Sequence, residues 1–221
     1  MEIPVKKSGT GAESDRFEND EKARDETRSR AGAFRALRHR NYRLYFIGQL
    51  TSLAGPWMQS AAQAWLVLGL TNSSLMLGVV SFAQFFPILL VGLFAGVAVD
   101  RIDRRRMLLG TQTLLMLSAF TLAGLTWSGS VRVWHVIALA AFNGTVSSFD
   151  MPGRQSFVVE MVGYKDLANA IALNSMMFNS ARMLGPAAAG ILIAWLGTGT
   201  CFFLNGMSFL AVIWSLYLMV V

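Results

Sequence analysis

Along the chain, the positions that lack charge say most. Leu44 to Val99 is a run of 56 residues (44–99) without Lys, Arg, Asp or Glu. A membrane-crossing helix needs roughly 20 apolar residues, so this run predicts two spans and a short turn. The remaining charge-free runs predict four more, giving spans at about 44–70, 75–99, 107–127, 133–151, 170–196 and 201–221. The runs under the fourth and fifth are shorter, 17 residues (133–149) and 15 (167–181), which leaves their ends open by several positions. Periodicity adds little, because helices facing lipid are apolar nearly all round. Residues 1–33 are polar and mixed in charge, with few apolar side chains to bury, and are expected to form a disordered cytoplasmic tail. They do not read as a secretory signal, because the first apolar run begins only at Leu44. Ala33–Arg43 reads as a basic amphipathic lead-in at the headgroups, with Phe34, Leu37 and Tyr42 as its apolar contacts.

Composition and charge placement sharpen this picture. The chain is 54% hydrophobic and 14% charged, against about 25% charged for ordinary soluble domains. That balance excludes a soluble globular domain, a collagen-like chain and a nucleic-acid-binding domain. A disulfide scaffold is excluded by the single cysteine, Cys201. The basic residues follow membrane topology. Arg35, Arg38, Arg40, Arg43, Arg101, Arg104, Arg105, Arg106, Arg154 and Lys165 fall on one side of the predicted spans, and only Arg132 falls on the other. This bias places both termini in the cytoplasm. Trp127, Trp134 and Trp195 lie near the opposite boundary, where interfacial anchors are expected. The expected fold is an all-α, multi-pass membrane protein of the plasma (inner) membrane, with residues 34–221 as a six-span transmembrane bundle.

The loop between the second and third spans reads Gly96-Val-Ala-Val-Asp100-Arg101-Ile-Asp103-Arg104-Arg105-Arg106. Gly92 and Gly96 offer a small-residue face for close helix approach, and Asp100 and Arg104 share a face if helix continues. A basic loop alone would explain the arginines but not this spacing. The segment resembles the signature of the major facilitator superfamily, G-x-x-x-D-R-x-G-R-[RK], with Asp103 in place of the usual glycine. Phe149-Asp150-Met151-Pro152-Gly153-Arg154-Gln155, with Glu160 and Asn169–Asn174, is similar to the branch that contains the enterobactin exporter. The resemblance implies the N-terminal half of a twelve-helix fold, built as two three-helix repeats. It also implies a conformational charge cluster of Gly96, Asp100, Arg101, Arg104, Arg105, Asp150 and Arg154, in which Asp150 meets Arg104 and Asp100 and latches the outward-facing state. The alternative is that Asp150 only caps the exit of span 4. The superfamily's R-x-x-Q-G pattern in span 4 is missing. Gly185-Pro186, with Gly190, resembles the Gly-Pro kink motif of family exporters, although an ordinary kink reads the same way.

Arg182 falls near mid-membrane, about 18 Å along the fifth span. A charge there is costly and normally faces a cavity or a partner. No carboxylate falls at that depth. Arg182 therefore meets an anionic solute, pairs with protein outside this chain, or snorkels. Gln49, Gln59, Gln63, Gln84, Asn143, Asn174, Asn179 and Asn205 suit a polar cavity lining, and Trp57, Trp65 and Phe85 offer flat apolar surface. Interhelical hydrogen bonding is the competing role for these amides. Of this set, Arg182, Gln49, Gln59, Gln63, Asn143 and Asn179 are the solute-contact candidates. Gly55-Pro56 is expected to interrupt span 1 near its middle. His135, alone near the outer end of span 4, reads as structural.

The resemblance implies a proton-driven efflux carrier for a drug-like or siderophore-like molecule, working by alternating access and completed by a second six-helix half. Two other classes compete. A six-span subunit of an ATP-driven exporter would need a separate ATPase, since the chain has no G-x-x-x-x-G-K-[ST]. An intramembrane serine protease would need a serine element, and no G-x-S-x-G occurs. A half-transporter without independent activity is a further alternative. No enzyme activity, cofactor, metal site or nucleic-acid partner is expected. The expected partners are the bilayer, a small solute, protons and the second half.

Overall fold

The computed structural model describes residues 34–99 and 102–219, and every regular element among them is helical. After a 3-10 turn at Arg35–Arg38 come α1 (Arg40–Ser52), α2 (Ala54–Thr71), α3 (Ser74–Val99), α4 (Arg104–Trp127), α5 (Val133–Leu196) and α6 (Thr198–Leu218). Within α5, Gly163 has φ 66° and ψ 173°, which divides it into a first arm, 133–162, and a second arm, 164–196. Only glycine takes this backbone conformation at low cost, so the chain turns back there. Among the described residues three helices are long and apolar enough to cross a membrane: Ser74–Gly92, Arg104–Trp127 and Thr198–Leu218.

Several boundaries differ from expectation, for physical reasons. The break in the first rod falls at Leu53, one turn before Gly55-Pro56. Pro56 lies in the first turn of α2, where its missing N–H is tolerated, but it leaves the Ser52 carbonyl without its i+4 donor. α4 begins at Arg104 rather than Met107, because Asp103 caps it: its Oδ1 accepts from the Arg106 N–H at 2.8 Å. The fourth rod runs past the expected end at Met151 to residue 162. Phe157, Val158 and Val162 keep its inner face buried even though Asp150 ends the charge-free run and Arg154 and Glu160 follow it. The lead-in also packs differently. Tyr42 is fully buried rather than lipid-facing, and its hydroxyl donates to the Ala170 carbonyl at 3.1 Å. Leu37 packs against the same core cluster, and only Phe34 of the three expected contacts is exposed.

Close glycine contacts decide which helices pair. Gly144 on the first arm abuts the Gln84 carbonyl of α3, so no Cβ fits there. A Cβ on Gly185 would lie 2.6 Å from Trp57 Cβ, which sets the second arm against α2. Gly206 of α6 faces the Phe120 ring of α4 at 2.6 Å by the same measure. Gly92 and Gly96, expected to admit a close helix, have nothing within 4 Å. The outward surfaces are apolar: Phe82, Phe85, Leu89 and Phe94 of α3 are all well exposed.

Candidate functional site

The polar groups expected to form a charge cluster gather where α1, α4 and the first arm of α5 meet. Asp150 is only 6% exposed. Its Oδ1 accepts from Thr111 Oγ1 and from Gln112 Nε2, each at 2.7 Å, and its Oδ2 accepts from Arg154 Nε at 2.6 Å. The Arg154 guanidinium also hydrogen-bonds Tyr45 of α1. One carboxylate thus links α4 to the first arm, and its arginine extends the link to α1. Carboxylate, guanidinium, hydroxyl and amide satisfy one another, as burial of a charge requires.

The expected pairing of Asp150 with Arg104 is not what the structure shows. Arg104 Nη1 bonds Glu160 Oε2 at 3.1 Å, two to three turns further along the first arm. Arg105 donates from Nε to the Leu216 carbonyl and from Nη2 to the Tyr217 carbonyl, both at 2.8 Å, and so anchors the end of α6 to the start of α4. Asp100 and Arg101 lie outside the described residues. Thr111 and Gln112 were not anticipated. The signal was available, because a Thr-Gln pair inside an otherwise apolar span needs a polar partner. Tyr45 and the Asp103 cap were missed as well.

Beside the cluster lies a cavity of about 580 Å³, between α1 and the two arms of α5. Gln49, Asn174 and Asn179 line it, and Arg154 forms part of its wall. The other candidates sit elsewhere. Gln59 Oε1 accepts from Asn205 Nδ2 at 2.6 Å, an interhelical bond between α2 and α6. Gln63 is buried in α2, and Asn143 is half-buried on the first arm. Arg182 is exposed, with its guanidinium 5.7 Å from the Trp57 ring centre, and Trp57 meets Phe178 edge-on at 5.5 Å. Pro186 and Gly190 are exposed on the same arm, whereas Gly185 is buried against α2. His135 has the expected structural role: its Nδ1 accepts from the Arg132 N–H at 3.0 Å at the start of α5.

At the neighbouring end of the bundle the lead-in is pinned to the second arm. Arg35 Nε and His39 Nε2 each lie 2.9 Å from an Asp166 carboxylate oxygen, and the Ala36 N–H donates to Asn169 Oδ1 at 2.9 Å. The His39 hydrogen bond, reinforced by Arg35, holds the Asp166 carboxyl below its usual pKa.

All-helical described residues with an apolar exterior and a buried ion pair beside a cavity have the build of a membrane transporter. The chain belongs to the major facilitator superfamily: the model of its transmembrane secretion effector family matches residues 31–220. It is 28% identical over 168 residues to the staphyloferrin A transporter of Staphylococcus aureus, an alignment covering 72% of this chain and 42% of that protein. It is 32% identical over 159 residues to the multidrug efflux pump Tap of Mycolicibacterium fortuitum, covering 70% and 39%. Macrolide efflux protein A of Streptococcus pyogenes is 22% identical over 159 residues, again covering 70% and 39%. The chain thus spans about two-fifths of the length of these relatives, which are transporters and not enzymes. No solved structure matches significantly.

Proposed function

We propose that this chain is the N-terminal six-span half of a proton-driven efflux carrier for a drug-like or siderophore-like small molecule. In this reading residues 34–221 form one transmembrane unit of two three-helix repeats in the plasma (inner) membrane, with both termini cytoplasmic. A second six-helix half completes the cavity, and the two halves rock about it to expose the solute to alternate sides. The length of the relatives supports a second half, and their names support export of drugs or handling of a siderophore.

The observation that carries the reading is the buried Asp150–Arg154 pair in contact with a solute-sized cavity. In a two-state carrier, a buried ion pair linking three helices is suited to hold one arrangement and release it when the pair is broken. Gly96, Asp100, Arg101, Arg104 and Arg105 would complete this latch from the adjoining loop, with Arg104 bound to Glu160 on the first arm.

The test is solute uptake by inverted membrane vesicles carrying the complete gene product. The expected result is accumulation that collapses when the proton gradient is dissipated and is indifferent to ATP. Accumulation that depends on ATP alone would instead indicate a subunit of an ATP-driven exporter.

A further inference from the structure

The cavity between α1 and the two arms of α5 has a chemical bias of its own. Its volume, about 580 Å³, falls within the roughly 300–1,000 Å³ common for small-molecule sites. Gln49 lines it and is 3% exposed, yet its amide nitrogen Nε2 has no hydrogen-bond partner. Buried donors are nearly always paired, so an unpaired one at a cavity wall points to a ligand acceptor. The neighbouring polar groups lean the same way. Arg154 brings a guanidinium to the wall. Asn174 turns its Oδ1 to the Tyr42 hydroxyl at 3.2 Å, whose one proton it shares with the Ala170 carbonyl, and its amide nitrogen is a further donor at the wall. Among the described lining residues none is acidic, and the Asp150 carboxylate that pairs with Arg154 is not part of the lining. A cation entering here would meet the guanidinium side of the Asp150–Arg154 pair, whose carboxylate is turned toward Thr111 and Gln112 instead of into the cavity. Met151, Ile171 and Phe178 supply apolar surface in the same cavity.

Building on the efflux reading, we propose that this cavity receives the hydrogen-bond-accepting end of an amphipathic solute, a carboxylate or amide carbonyl, and that Gln49 selects it. The acceptor takes the Gln49 amide proton and lies near the Arg154 guanidinium, while the apolar body rests on Met151, Ile171 and Phe178. Carboxylates bind more tightly than amides of the same length, and ammonium compounds bind weakly.

The experiment measures binding of three matched dansylated alkyl probes to the complete gene product in lipid nanodiscs: a carboxylate, its primary amide and the corresponding ammonium. The ammonium probe is expected to bind roughly tenfold more weakly than the carboxylate. Gln49→Leu, of similar size but without a donor, should weaken the carboxylate and amide about fivefold or more and leave the ammonium probe unchanged. Gln49→Glu should invert the order and favour the ammonium probe, which keeps the test decisive if the leucine variant folds poorly. Equal binding of ammonium and carboxylate, or no change with either variant, would overturn the proposal. If the probes bind with the expected selectivity but no solute accumulates in inverted vesicles, the efflux reading fails and the site assignment stands. Export with a preference for cations would sink the site assignment alone.

Discussion

The first arm of α5 and the part of the second arm from Asn179 onward use their polar residues in opposite ways. On the first arm, Asp150 and Arg154 are turned inward and bonded to each other, to Thr111 and Gln112 of α4 and to Tyr45 of α1. Gly144 and Gly153 of that arm sit tight against α3 and α4. On the second arm, Asn179, Arg182, Pro186 and Gly190 are exposed, and a Cβ on Gly190 would meet open space. Of the exporter-like Gly-Pro segment, Gly185 packs against Trp57 and Ala189 is buried in the core, one helical turn apart. The first arm's polar groups therefore hold this bundle together. On the second arm Asp166, Asn169 and Asn174 do the same for the lead-in and α1, whereas Asn179 and Arg182 beyond them contribute little to the bundle.

This contrast can be broken by mutation, and the largest effect belongs to the first arm. Asp150→Ala would leave the Arg154 charge buried without its carboxylate, a loss of about 3–5 kcal/mol. Arg182→Ala would remove only a cation–π contact worth about 0.5–1 kcal/mol. Unfolding of the detergent-solubilised protein measures both, and comparable losses would erase the distinction between the arms.

Glycine substitutions sharpen it next. A methyl group at Gly144 collides with backbone, so Gly144→Ala should cost about 1–3 kcal/mol. Gly190→Ala, in open helix, should be neutral or stabilising by up to about 1 kcal/mol. A smaller effect is expected at the start of α4. Asp103→Ala removes its side-chain cap, costing about 1 kcal/mol and speeding hydrogen exchange at the first amides of that helix.

The mildest effect concerns pH. Asp166 has a lowered pKa in the folded state, set first by the His39 hydrogen bond and then by Arg35. Its contribution is therefore present above the usual aspartate pKa of about 4 and is lost as pH falls through the lowered folded value. Hydrogen exchange at Ala36 should rise over that acid range and stay flat from there to neutral pH. In Asp166→Asn the acid response should disappear.

Much of the helical layout was legible because the chain alternates long charge-free runs with short basic or Gly- and Asn-containing turns. The turns at Asn72, Gly129 and Gly197, all with positive φ, fall between predicted spans. What charge counting could not see was helix that leaves the apolar run. The first arm continues to residue 162 on a buried face of Phe157, Val158 and Val162, in a stretch where Arg154, Gln155, Ser156 and Glu160 break up the apolar run. The site was legible in part. Asp150 and Arg154, four residues apart on one helix, are close by helical geometry alone. Their bonds to Thr111, Gln112 and Tyr45 depend on the register between helices, which composition does not encode. Arg104 was drawn to the wrong acid for the same reason, since only the packing of α4 on α5 brings it to Glu160 rather than Asp150.

In the proposed carrier the Asp150–Arg154 pair works as a latch in transport. Export by inverted vesicles carrying the complete gene product, compared between the unmodified protein and Asp150→Asn at equal membrane expression, tests it most directly. The latch account predicts that the asparagine variant retains less than about a tenth of the export rate, because the ion pair rather than the shape is lost. Export at the unmodified rate would contradict the account and reduce Asp150 to a structural link between α4 and α5.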